Sequence, residues 1–302
     1  MTSHSEETRL RVAIQGEAGC FHDAAAREFF SPRGCEIDIV ECETFADLAD
    51  AMTADASLLG IMAIENTIAG SILPNHELIR RTNARVVGEH KMRISHALCA
   101  LPGQTIGDIH EVNSHPIALM QCEQFLRRYP AMSMVEKNDT AGSAREIAAR
   151  QLTGHAAVCS AYAARLYGLD ILADGIETNK HNFTRFLILA DPLVARDIAP
   201  ASTEVDKASL VFSLPHTQGA LSKVLTILSF YDINLTKIQS TPIVGREWEY
   251  RFYVDVSFAD PVRYHQAITA ITPLLNDFHE LGLYREAPTP PVYNPSSKNP
   301  VK

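Results

Sequence analysis

Two polar clusters in this chain carry residue types able to hold and protonate an anionic ligand. The first is Asn182-Phe183-Thr184-Arg185-Phe186, a hydroxyl and a guanidinium side by side at the mouth of the apolar run Leu187-Ile188-Leu189. A hydroxyl can donate a hydrogen bond or relay a proton, and a guanidinium fork can grip a carboxylate through two charge-assisted bonds. If the run is a strand, Thr184 and Phe186 share one face, and Phe183 and Arg185 share the other, unless the backbone bends. The alternative is an ordinary strand whose first residues happen to be polar. The second cluster is Glu65-Asn66-Thr67-Ile68-Ala69-Gly70-Ser71, at the end of a continuous apolar run over 58–64. Ligands of open α/β sheets bind beyond the carboxyl ends of strands, where this cluster falls.

The elements that must position these residues follow from hydrophobic pattern. A strand over 11–15 runs into Gly16-Glu17-Ala18-Gly19 and a helix to Phe30, and a strand over 36–41 precedes a helix opened by Thr44-Phe45-Ala46-Asp47. Residues 72–81 read as a helix with Pro74 in its first turn, and 85–101 as one extended stretch able to cross between lobes. Ser114-His115-Pro116 and Asp139-Thr140-Ala141 each separate a short strand from a helix, Ser114 being the expected cap of its helix. A further strand-to-helix junction falls at 159–160. The recurrence predicts an α/β architecture whose helix N-termini converge on one anion. Residues 191–206 have the composition of a linker, and the order βαββαβ over 207–284 is ferredoxin-like. The stretch 285–302, rich in Pro and Ser, is expected to be a disordered tail.

Composition narrows the function classes. The chain has 302 residues, 46% hydrophobic and 21% charged, which suits about two soluble domains at about 150 residues each. A net charge of -9 argues against nucleic acid or an anionic membrane as partner. No stretch has the length of an apolar span, and MTSHSEETRL has no h-region, so a cytoplasmic protein is expected. The six cysteines are scattered without metal-ligand spacing, so no structural metal is expected.

Taken in order, these segments resemble prephenate dehydratase from about Arg11 to Tyr284. The motifs are Gly16-x-x-Gly19, Glu65-Asn66-Thr67-x-x-Gly70, Ser114-His115-Pro116 with Gln121-Cys122, Asp139-Thr140-Ala141 and Asn182-x-Thr184-Arg185-Phe186. Gly219-Ala220-Leu221, Asn234-Leu235-Thr236 and Gln239-Ser240-Thr241-Pro242 extend the match into the C-terminal part. The resemblance implies a bilobal, periplasmic-binding-protein-like (type 2) catalytic domain over 11–190 and a ferredoxin-like ACT regulatory domain over 207–284. Three positions depart from the family pattern. Thr67 stands where Ser is usual, His22 stands at a hydroxyl position, and Gln239 and Thr241 replace charged residues.

The implied reaction is decarboxylative dehydration of prephenate to phenylpyruvate in phenylalanine biosynthesis, driven by aromatisation, so no cofactor is expected. The resemblance makes Thr184 the catalytic donor and Asn66, Thr67, Ser114, His115, Thr140, Asn182, Arg185 and Phe186 substrate-binding residues. Read as residues alone, Asn66, Thr67, Ser114 and Thr140 could equally be helix caps, His115 a structural histidine and Phe186 a core ring. Arg185 could equally pair with Glu65 or Glu177, and Glu65 is expected to position Asn66 or Arg185 rather than meet a dianion. Gly219, Ala220, Leu221, Asn234, Gln239 and Ser240 are the implied effector residues for L-phenylalanine as allosteric inhibitor, between ACT units paired in a homodimer or homotetramer. With ten residues before Arg11, no chorismate mutase unit is expected and the enzyme is read as monofunctional. Arogenate dehydratase is the near alternative, and a non-catalytic amino-acid sensor the distant one.

Overall fold

The computed structural model describes residues 9–291. The N-terminal residues 1–8, read above for a leader, and the end of the expected tail, 292–302, lie outside them. The first sheet is laid down by β1 (Arg9–Gln15), β2 (Glu36–Cys42), β3 (Leu59–Asn66), β4 (Gly70–Ser71) and β5 (Arg85–Arg93). Three helices, α1 (Phe21–Phe30), α2 (Phe45–Ala54) and α3 (Leu73–Arg81), connect them. The Thr44–Asp47 box closes as its spacing predicts, with Asp47 N donating to Thr44 Oγ1 at 3.1 Å and Thr44 N to Asp47 Oδ2 at 2.9 Å.

The second sheet follows, from β6 (Ala97–Ala100), β7 (Glu111–Ser114), β8 (Ser133–Glu136), β9 (His155–Cys159) and β10 (Asp170–Ala173). Its helices are α4 (Pro116–Gln121), α5 (Glu123–Leu126), α6 (Thr140–Arg150) and α7 (Ala161–Leu166). The chain then returns. Strand β11 (Phe183–Ala190) inserts antiparallel between β3 and β5, completing the order β2-β1-β3-β11-β5. The expected extended stretch over 85–101 is thus two strands in two sheets, with Ile94–His96 as the crossing.

Residues 191–206 are not merely a linker. Asp191 Oδ1 accepts Leu193 N–H at 2.9 Å and caps α8 (Pro192–Ile198), which buries Ala195 against the first sheet. A third sheet is built from β12 (Lys207–Ser213), α9 (Ala220–Phe230), β13 (Asn234–Pro242), β14 (Tyr250–Ser257), α10 (Pro261–Ile271) and β15 (Asn276–Tyr284). Its order β13-β14-β12-β15, all antiparallel, is that of a ferredoxin-like unit.

Alternation along β3 and β11 divides the interior into two cores. Leu59, Ile61, Ala63, Phe186, Ile188 and Ala190 pack with α1, while Met62, Ile64, Leu187 and Leu189 face the opposite way. The second face meets α2 and α3, and also Val211, Tyr253, Leu281 and Tyr284 of the third sheet. Gly282 lets β15 approach β5 there, since an added Cβ would stand 2.0 Å from Val86 O.

The same interface buries His76, whose ring lies tilted 5.1 Å from that of Tyr253. Burial, aided by the Lys237 charge, pushes its pKa down to about 3. An unfolded His titrates near about 6.5, so below that pH the unfolded chain takes a proton the folded one refuses. This contribution to stability is complete above pH of about 6.5 and falls as the pH drops toward about 3. Urea unfolding should therefore show a smaller loss of stability between pH 7 and pH 4.5 in His76→Leu than in the wild type; equal losses would remove His76 as the cause.

Candidate active site

A cleft of about 260 Å³ opens where the carboxyl ends of β1, β3, β7 and β8 face the start of β11. Thr184, Asn66, His115, Thr140 and Phe186 line it, together with Gln15, His22, His96, Gln121 and Asp139. Thr184 and Phe186 reach it because they are two apart on β11. Asn66 reaches it for a different reason. The register between β11 and β3 shifts after Arg185, so Thr184 faces Asn66 and Arg185 faces Glu65, but Phe186 faces Ala63. The extra residue turns Asn66 into the cleft and Glu65 away from it. Ala63 is held at this bulge by Asn75 Nδ2, which donates to its carbonyl at 2.7 Å, and by His22 Nε2, which accepts its N–H at 3.4 Å.

Asn66 starts a hydrogen-bond chain with a fixed direction. Its Oδ1 accepts the N–H groups of Ile68 and Ala69, both at 2.9 Å, so its amide nitrogen must face the other way. That nitrogen donates to Asn182 Oδ1 at 2.7 Å and to Thr184 Oγ1 at 2.9 Å. Asn182 Nδ2 in turn donates to Gln121 Oε1 at 3.0 Å, which also meets His96 Nε2 at 2.9 Å. Thr184 Oγ1 is therefore an acceptor toward Asn66, and its own proton is left to donate elsewhere. Gln121 and His96 were not among the residues expected to bind substrate. Gln121 stood in the quoted Ser-His-Pro…Gln-Cys motif, whereas His96 had no motif to mark it.

Arg185 requires a correction. It does not face the cleft beside Thr184 but lies on the opposite side of the sheet, only 6% exposed. Nε meets Glu89 Oε2 at 2.6 Å, Nη1 meets Asp255 Oδ2 at 2.6 Å and Glu65 Oε1 at 3.1 Å, and Nη2 donates to Tyr284 Oη at 3.0 Å. Strand alternation puts it there, with Nε and Nη1 spent on three carboxylates and Nη2 on Tyr284, away from the cleft. Lys237 completes the site by reaching Glu65 at 3.0 Å, and Lys207 and Lys91 meet Glu286 at 3.1 and 2.9 Å. Glu286 and Ala287, whose N–H donates to Glu89 at 2.9 Å, belong to the stretch expected to be a disordered tail, and both are held against the fold.

Two hydroxyls are also engaged elsewhere. Ser114 Oγ donates to Val158 O at 2.6 Å inside the second sheet, and His115, not Ser114, caps α4, its Nδ1 accepting Ile117 N–H at 3.2 Å. Thr67 Oγ1 donates to His181 O at 2.8 Å and accepts Phe183 N–H at 2.9 Å, pinning the two polar clusters together. The proton of each is spent inside the protein, so neither hydroxyl donates to a ligand.

Among the described residues lining the cleft there is no Lys or Arg. The features there that favour an anion are the helix starts of α1, α4 and α6. The latter two carry side-chain caps, from His115 and from Asp139 Oδ1, which accepts Gly142 N–H at 2.7 Å. The α1 start at Cys20 has no oxygen-bearing side-chain cap, the backbone N–H groups of His22 and Asp23 being met only by the weakly accepting Cys20 thiol. Burial pushes His22 down to about 4 and lowers His96, so both rings are neutral near pH 7, while burial pushes the Asp139 carboxyl up.

The candidate effector residues lie on the third sheet. Gly219, at φ 78°, opens α9 with Ala220 and Leu221 behind it. Asn234 pairs with Ser257 at the other end of the sheet, so a single chain does not bring it to Gly219. Gln239 lines a second cavity, with Thr67 and Arg185 among its other walls.

The fold and cleft define a mixed α/β protein with its polar site at strand ends between two sheets. The family model Prephenate dehydratase matches residues 12–193. "Arogenate dehydratase/prephenate dehydratase 2, chloroplastic" of Arabidopsis thaliana is 38% identical over 274 residues, 86% of this chain and 69% of the relative. A solved structure described as GqqA, a novel type of quorum quenching acylase, is similar at a TM-score of 0.78 and 29% identity, covering 92% of this chain and 98% of its own. Prephenate dehydratase in complex with L-Phe from Arthrobacter aurescens shares the fold at a TM-score of 0.78 and 24% identity, over 91% of this chain and 90% of its own. The chain belongs to the prephenate dehydratase family, whose members are carbon–oxygen lyases. The cytoplasmic expectation does not stand beside a chloroplastic relative, for the first residues of the given sequence assign no compartment.

The position of Arg185 predicts a stability effect. Arg185→Met leaves three carboxylates facing one another and should cost about 3–5 kcal/mol of unfolding free energy. Denaturant titration checks this, and wild-type stability would mean that the network is not holding the two sheets together.

Proposed function

We propose that the chain catalyses the decarboxylative dehydration of prephenate to phenylpyruvate, carbon dioxide and water. The observation that carries this reading is the Asn66–Thr184 bond at 2.9 Å, whose direction leaves the Thr184 proton available to the cleft. In the reaction the ring carboxylate leaves as CO2, its electron pair enters the ring, and the C4 hydroxyl departs as water. Aromatisation drives the step, and what the ring lacks is a proton for a poor leaving group. Thr184 supplies a hydrogen bond or relays that proton, and solvent restores it. Phe186 and His22, their rings 5.1 Å apart, wall the ring side. The start of α1, met only by a weakly accepting thiol, suits a substrate carboxylate, a task Arg185 does not perform. An acylase reading would need Thr184 activated by a base, and its bonded neighbour is instead an amide that donates to it.

Further parts of this reading are the domain assignments. The first two sheets are the lobes of a periplasmic-binding-protein-like catalytic domain, and the third sheet is an ACT unit that binds L-phenylalanine between paired copies. The separation of Gly219 from Asn234 within one chain supports pairing, because a site using both needs a second copy.

Thr184→Ala should lower kcat by about 10²–10⁴-fold, while Thr184→Ser keeps much of the activity. Near-normal turnover in the alanine variant removes Thr184 from the chemistry. Side-by-side assays with prephenate and arogenate separate the two dehydratase readings from a sensor, which turns over neither. Calorimetry on the full chain should detect L-phenylalanine binding that weakens in Asn234→Ala; heat that is unchanged by this variant would place the effector elsewhere.

A further inference from the structure

Among the positions that depart from the family pattern, His22 lies in the cleft wall, on the first turn of α1. Its ring meets Phe186 edge-on at 5.1 Å and Phe45 at 5.4 Å, and an apolar wall is one account of it. Its nitrogens give another. Nε2 accepts the Ala63 N–H at 3.4 Å, so in the neutral ring the proton sits on Nδ1. Burial keeps the ring neutral near pH 7, pushing its pKa down to about 4. Nδ1–H is thus a fixed donor. Among the described residues it has no acceptor, and unlike His96 Nδ1 it is not sealed from solvent. Phe45, Ala63 and Phe186, the groups His22 packs against, line the same cleft, so the cleft is the space this donor opens to.

Such a donor suits a cleft whose wall has no Lys or Arg among the described residues. A second imidazole is arranged alike on the other sheet. His115 Nδ1 accepts the Ile117 N–H at 3.2 Å, which leaves its proton on Nε2, again without an acceptor and not sealed. The register sets His22 apart from the hydroxyl donor. It touches Ala63, which pairs with Phe186, whereas Thr184 pairs with Asn66. Two residues along a strand span about 7 Å, so the two donors meet different groups of one substrate.

We propose that His22 is a substrate-binding residue, its Nδ1–H donating to a carboxylate of the dianion where the family pattern has a hydroxyl. The inference rests on the dehydratase reading above and adds to that site a donor specific to this chain.

Two substitutions separate the donor from the wall. His22→Phe keeps a ring against Phe45 and Phe186 but removes the N–H. His22→Asn loses the ring but keeps an N–H at about the place of Nδ1. The quantity read is KM for prephenate, which does not depend on how much of a preparation is folded. It should rise about 10–100-fold in His22→Phe, the effect of a lost hydrogen bond to a charged group, and stay within about fivefold of wild type in His22→Asn. A wall role reverses that order, and the reversal overturns the proposal. Equal changes in both variants, or a His22→Phe KM within about twofold of wild type, overturn it as well. If the wild type turns over neither prephenate nor arogenate, the dehydratase reading fails and this assignment falls with it. Wild-type turnover with an unaltered His22→Phe enzyme removes this assignment alone.

Discussion

A buried guanidinium behind the active strand organises this molecule. Arg185 is held by Glu65, Glu89 and Asp255, and Lys91, Lys207, Lys237 and Glu286 complete a cluster of equal positive and negative charge. Such a cluster adds little net stability over an apolar packing, because every ion must first lose its water. Its strength lies in specificity, for any arrangement that separates the partners leaves a naked charge in the interior. Asp255 and Tyr284 come from the third sheet, Glu65 and Glu89 from the first, so the two sheets have one permitted docking.

The cluster and the cleft are back to back on the same two strands. Thr184 and Arg185 are neighbours, as are Asn66 and Glu65, and each pair divides between the cleft and the ionic layer. The Lys237–Glu65 pair thus lies one residue from the amide that orients Thr184. On the cleft side the amide chain runs on through Asn182 to Gln121 and crosses from one sheet to the other. Among the described residues the cleft wall has no cationic side chain, and what it offers an anion is helix starts and neutral donors.

Much of this was legible in the residues themselves. Alternation alone put Thr184 and Phe186 on one face and Arg185 on the other, and the strand-to-helix junctions at 66, 115 and 139 all reach the cleft. What lay behind Arg185 was not legible, because its partners Asp255 and Tyr284 are 70 and 99 residues away in the chain. Asn66 faces the cleft only through a one-residue shift that no periodicity announces. Ser114 and Thr67 have the right chemistry, but nearby carbonyls claim their hydroxyls, a competition that depends on tertiary register. Pro- and Ser-rich composition made 285–302 read as disordered, yet the Glu286 carboxylate and the Ala287 N–H answer the buried Lys207 and Glu89. His96 carried no signal, since an imidazole before an apolar strand reads as an ordinary buried residue.

The late arrival of β11 has a consequence for how the chain is made. The second sheet is continuous in sequence and can assemble as soon as β10 is synthesised. The first sheet cannot, because β11 must enter between β3 and β5, which are already complete far upstream. Until residue 190 has emerged, those two strands present unpaired backbone edges, the templates on which nascent chains associate wrongly. Even then Arg185 waits for Tyr284 before its last partner exists. The parallel pairs of β1 with β2 and β3 can form early, but the strand that carries Thr184 is the last piece of the first sheet to arrive.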